Sequence, residues 1–240
     1  MYGLWVIFII IIISSIPAIA VFVWFRLAKY QFSISGFLFA LLAGAAAIFP
    51  ALLLQRFLDL PVQEGSRLEL FYYFFIRIAA TEELSRLLML LVFFRISSLI
   101  SQSGSEKFSG LVSYATVKKA SALGLVAGLG FALMETSALI IKDMAMNIEF
   151  GLFLILRIIA ASLLHAACGS RIGAAAVIFH SNIILAILRI LIAITIHGIY
   201  NFMISMPFLQ STLGILIALS AFVSSILAIR GGWETQKSIK

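Results

Sequence analysis

FYYFFIRIAATEELSRLLMLLVFF, from Phe71 to Phe94, is long and apolar enough to cross a bilayer, yet it carries Glu82, Glu83 and Arg86 at its middle. A hydrocarbon core of about 30 Å takes about 20 helical residues. Glu82, about twelve residues in from Leu70 at about 1.5 Å per residue, therefore lies near mid-bilayer, beyond the reach of headgroups. Charged side chains at that depth cost roughly 2.5–3.5 kcal/mol each. Partners on other helices must offset that cost. Arg86 follows Glu82 by four residues and is expected on the same face, beside it. Glu83 is turned by about 100° toward another neighbour.

The rest of the chain fits a membrane bundle. Hydrophobic residues make up 63% of the 240, against roughly 45–50% in soluble domains, and the mean hydropathy is +1.16. Apolar runs of spanning length are read at Leu4–Phe25, Ile34–Leu54, Leu70–Phe94, Ala120–Ile141, Gly151–Phe179, Ile183–Met203 and Phe208–Ile229. The fold expected is an all-α polytopic bundle of seven transmembrane helices, the fifth kinked near Gly169–Gly173. No connection is long enough for a second core, so residues 1–240 read as one integral-membrane domain with its catalytic core at 70–206. The first run lacks the preceding basic residues of a cleaved signal and reads as a retained helix.

Basic residues set the orientation. Arg26 and Lys29, then Arg95, Lys107, Lys118 and Lys119, then Arg230, Lys237 and Lys240 fall in alternate connections. The positive-inside rule places the N-terminus outside and the C-terminus in the cytoplasm. The Gln55–Glu69 connection is then external and the Ile96–Lys119 connection cytoplasmic. Cysteines introduced at Ser66 and Ser105 should therefore label from opposite sides of the membrane; labelling from one side rules this topology out. The formal charge of +7 is accounted for by topology and anionic lipid, with no nucleic-acid partner needed. Arg77, Arg157, Arg171 and Arg189 read as snorkelling cations, and Cys168 as a buried small hydrophobe.

Three more helices carry polar groups at similar inferred depth: Glu135 in "GFALME", His165 in "LLHAACG", and His197 with Asn201 in "HGIYN". A lone histidine on an apolar face is usually a hydrogen-bonded core residue. Two histidines, three carboxylates and an amide on four successive helices instead suggest the lining of one polar cavity. Such a cavity holds the parts for amide hydrolysis: a carboxylate to take a proton from water, a histidine to share it, and donors for the oxyanion. The same groups suit a metal ion, but without a local HExxH pair the ligands must be assembled between helices. A transporter that relays protons or binds a cation would use similar residues; neither unwound helices nor an inverted repeat is evident.

Glu82-Glu83-x-x-Arg86, Phe131-x-x-x-Glu135, His165 with Gly169 and Gly173, and His197-x-x-x-Asn201 together resemble the PrsW family of bacterial intramembrane proteases. These are related to the CAAX-prenyl endopeptidases and to the APH-1 subunit of γ-secretase. Each motif alone is weak, while four in order are specific. The resemblance implies endoproteolysis of a membrane-anchored protein, of the anti-sigma-factor class, near the outer face of a bacterial inner membrane. A catalytically inactive scaffold is the alternative that the APH-1 relationship allows. In the favoured mechanism Glu82 and His165 activate water, and His197 and Asn201 stabilise the oxyanion. Glu83 and Arg86 hold the charge of the network, and Glu135 supports them. No cofactor is required in that scheme; Zn2+ on Glu135, His165 and His197 is the metal-dependent alternative.

Overall fold

The computed structural model describes residues 4–28, 33–59, 66–101, 114–145, 152–206 and 208–237. Lys29, Pro61, Ser105, Lys107 and Lys240 lie outside them, as does the side chain of Arg157. The described residues are helical and contain no strand. They form α1 (Leu4–Leu27), α2 (Ile34–Ala46), α3 (Ile48–Phe57), α4 (Arg67–Phe71), a π-helical stretch (Tyr72–Ala80), α5 (Thr81–Ser101), α6 (Tyr114–Ala145), α7 (Leu152–Ile178), α8 (Ile183–Ile204) and α9 (Phe208–Lys237). Because α2 and α3 follow one column, and α4, the π stretch and α5 another, the described residues form seven helical columns. Among the described residues, five are long and apolar enough to cross a membrane, and a shorter apolar helix covers Ile11–Leu27. The Glu82 column fails that measure because of its own charges.

The centre of the bundle is the antiparallel pair α6 and α7, whose spanning windows are 72% and 78% buried, against 28–33% for α2–α3, α8 and α9. Small residues make the pair possible. A Cβ on Gly124 would collide with the backbone of Gly169 and Gly173, and one on Gly128 with the backbone of His165. With no side chain between them the two backbones touch, as small-residue faces permit in lipid. Gly169 and Gly173 thus serve packing within α7, which runs without interruption from Leu152 to Ile178.

Two local irregularities aim side chains at the site. Pro50, in the first turn of α3, has no N–H to offer the carbonyl of Ala46, four residues earlier, so the α2 ladder cannot run on unbroken. The column is interrupted at Ala47, whose N–H is shared between the carbonyls of Ala43 and Gly44, each at 3.1 Å. In the second column, the π-helical stretch ends where Thr81 begins α5, and the Thr81 hydroxyl donates to the carbonyls of Arg77 at 2.7 Å and Ile78 at 2.9 Å. π-helical geometry is rare and frequent at functional sites. This one passes directly into Glu82 and Glu83, and its Phe75 ring fills the space that a Cβ on Gly198, next to His197, would need.

Arg77 does not simply snorkel. It pairs with Asp59 at 2.9 Å and lies over the Tyr73 ring, tying the end of the first column to the second. Arg171 turns inward, donating to the carbonyl of Ala167 at 2.9 Å and to the Ser225 hydroxyl of α9 at 2.8 Å. Cys168 is buried, as expected, and its thiol faces the carbonyl of Ala193.

Candidate active site

Six of the seven residues singled out in the sequence meet inside the bundle. Glu82, Glu83 and Arg86 project from the first turns of α5, Glu135 from α6, His165 from α7 and His197 from α8. Each helix brings its residue for the same reason: a polar group in an apolar helix is driven away from lipid toward other polar groups inside the bundle. The two imidazole rings stand edge to face with centroids 4.9 Å apart.

Arg86, fully buried, is the hub. Its Nη2 donates to Glu83 Oε1 at 2.5 Å and lies 3.5 Å from His197 Nδ1, while Nη1 donates to the backbone carbonyl of His165 at 3.3 Å. The guanidinium also packs 4.7 Å from the centre of the Phe131 ring, a cation–π arrangement. The expected partnership of Arg86 with Glu82 is therefore replaced by one with Glu83. At three residues' separation Glu83 is equally reachable along the helix, and it is the carboxylate that His197 also engages.

Each histidine is held from behind by a carboxylate. His197 Nδ1 lies 2.7 Å from Glu83 Oε1, and His165 Nε2 lies 2.6 Å from Glu135 Oε2. An ionised carboxylate only accepts hydrogen bonds, so these contacts put the N–H of each neutral ring on the outer nitrogen. The inner nitrogens, His197 Nε2 and His165 Nδ1, then present lone pairs. Both are buried without a hydrogen-bond partner among the described residues, and so is Glu82 Oε2. Glu82 Oε2 and His197 Nε2 are 3.6 Å apart. Glu82, His165 and His197 each offer one ligand atom within 4.8 Å of the others.

The residues within ligand reach of one another thus include Glu82 where sequence reasoning placed Glu135. Glu135 stands behind His165 instead. Asn201 lies one turn beyond His197, and no hydrogen bond joins its side chain to the cluster among the described residues. One residue was missed. The sequence reads Gln55 as the start of an external connection, but α3 extends to Phe57, and Gln55 Nε2 donates to Glu82 Oε1 at 3.2 Å. The available signal was an amide ending the apolar run "PALLLQ" with no break before it.

A family model described as PrsW family intramembrane metalloprotease matches residues 33–229. The chain belongs to the PrsW family. It is accordingly a multi-pass membrane protein of an intramembrane protease family, whose members act on membrane-embedded proteins. No curated protein and no solved structure matches the chain. The matched segment begins at α2 and ends in α9, so it takes in Gln55 as well as all four PrsW motifs read from the sequence.

The site fits a metal ion, as the word metalloprotease in the family description implies. Three converging acceptors exceed what one water can satisfy with its two hydrogens, whereas a cation satisfies all three. Two imidazoles and a carboxylate are a donor set used by hydrolytic zinc sites. Were all three carboxylates ionised, a dication would balance the negative charge that the Arg86 cation leaves over. Unbalanced charge in so dry a place is costly. Imidazole ligands backed by carboxylates, as here, are the usual outer arrangement of such sites.

Proposed function

We propose that this protein is a zinc-dependent endopeptidase of a bacterial inner membrane. Its substrates are membrane-anchored proteins of the anti-sigma-factor class, cut near the outer face. The observation that carries the metal-dependent reading is the convergence of Glu82 Oε2, His165 Nδ1 and His197 Nε2, buried and without hydrogen-bond partners among the described residues. The substrate class rests on the family resemblance.

Glu82, His165 and His197 would hold the ion, which supplies Lewis acidity toward a peptide carbonyl and toward water. The remaining steps belong to the protein. Glu83 and Glu135 keep the imidazole N–H groups on the outer nitrogens, so both rings face inward as bases. Glu135 is the most open of the three carboxylates, with 24% of its side chain exposed against 5% for Glu82 and none for Glu83. In this reading the oxygen not engaged by His165 would receive a proton from water. Hydroxide then adds to the carbonyl carbon, the C–N bond breaks, and the proton on Glu135 passes to the departing amine. Asn201 supplies a side-chain N–H to the developing oxyanion. His197 cannot fill that role in its neutral form, because its inner nitrogen carries no hydrogen. Arg86 offsets the charge of Glu83 and fixes the turn of α7 that carries His165.

The test is cleavage of single-pass anti-sigma-factor proteins by the purified protein in lipid nanodiscs, before and after stripping with a chelator. Cleavage should stop on stripping and return with zinc. Full-rate cleavage by protein shown by elemental analysis to hold no metal would overturn the metal-dependent reading in favour of Glu82 and His165 acting directly on water.

A further inference from the structure

We propose that Gln55 is a positioning residue for Glu82, holding one carboxylate oxygen so that only the other faces the histidines. This deepens the metal-site reading above and rests on it. Every other ionised or ring group in the cluster is anchored within the bundle core: Glu83 by Arg86 and His197, Glu135 by His165, and each histidine by its carboxylate. Glu82 has one side-chain hydrogen bond among the described residues, and it comes from Gln55. The terminal torsion of a glutamate is broad and roughly two-fold, so without an anchor the two oxygens exchange places and the carboxylate swings. With Oε1 held by Gln55, Oε2 is the oxygen left near His197 Nε2.

The anchor comes from an unexpected place. α3 is peripheral, with Leu52, Leu53 and Phe57 each more than half exposed on its outer face. It is also separated from α2 by the interruption at Ala47 that Pro50 imposes. The amide at its far end is the group that completes the setting of Glu82. A substitution that removes the amide while keeping the side chain's bulk should therefore loosen the site without disturbing the α6–α7 core.

The experiment uses full-length protein in nanodiscs and zinc itself as the probe, with affinity read by competition against a chromogenic chelator. Gln55→Leu should weaken zinc binding about 10–100-fold, the range for a group that orients a ligand, and Gln55→Asn, one methylene short, should not restore it. Glu82→Leu should weaken binding further. In the Glu82→Leu background Gln55→Leu should have no additional effect, whereas a merely structural Gln55 would weaken binding equally in both. Wild-type affinity in Gln55→Leu, alongside loss in Glu82→Leu, overturns the proposal and leaves the metal site standing. If the wild-type protein binds no zinc, the metal reading falls by itself. Unfolding of the metal-free variants then decides Gln55: coupled effects of Gln55→Leu and Glu82→Leu support the contact, and additive effects overturn it.

Discussion

Glu82→Gln should lower peptide-bond hydrolysis by more than the roughly 10²–10³-fold that removal of a single oxyanion donor costs, while the protein still inserts and binds its substrate. The side chain keeps its length and can still accept from Gln55, so packing is preserved. What is lost is the anionic oxygen among the three converging atoms. Zinc affinity should fall with activity, beyond the 10–100-fold typical of an outer partner. Asn201→Ala gives the internal scale: it removes one donor and should cost about 10²–10³-fold in rate with zinc affinity unchanged. Hydrolysis by Glu82→Gln at the wild-type rate on a verified substrate would exclude every mechanism that uses this cluster.

Arg86→Met should be the most destabilising single change in the cluster. It leaves Glu83, whose side chain has no exposed surface, with His197 and no cation, and breaking one side of a buried ion pair typically costs about 3–5 kcal/mol. It also frees the His165 carbonyl from its second donor. Replacing both partners, as Arg86→Met with Glu83→Leu, removes the stranded charge and should restore much of the resistance to denaturation by SDS. Activity should not return with it, because His197 Nδ1 has lost the acceptor that sets its tautomer. Recovery of activity in the double variant would show that Glu83 does not orient His197.

Depth is the property that makes the candidate site legible in the sequence. The apolar runs set each helix's position across the bilayer, and Glu82, Glu135, His165 and His197 stood out as polar groups at one level. Rotation about each helix axis was less legible. A period of 3.6 places Arg86 within reach of both Glu82 and Glu83; the choice depends on where His197 enters from α8, which no spacing within α5 reveals. The exchange of Glu82 for Glu135 among the three converging atoms has the same origin, since both carboxylates are read at a similar depth and differ in facing. Gln55 was missed because a loop was assumed where the apolar run meets Arg56, and its partner lies on another helix.

The short separation of Glu83 and Arg86 along α5 has a consequence for the newborn chain. His197 follows Glu83 by 114 residues, so at about 5–20 residues per second α5 exists for roughly 6–23 s before that histidine is made. During this interval Arg86, three residues away on the same helix, lets Glu83 enter the membrane as half of a neutral pair. Gln55 precedes Glu82 by 27 residues and has already been synthesised. The costliest segment of the chain thus reaches the translocon with a partner for each carboxylate in hand, and the histidines arrive last, into a setting made ready for them.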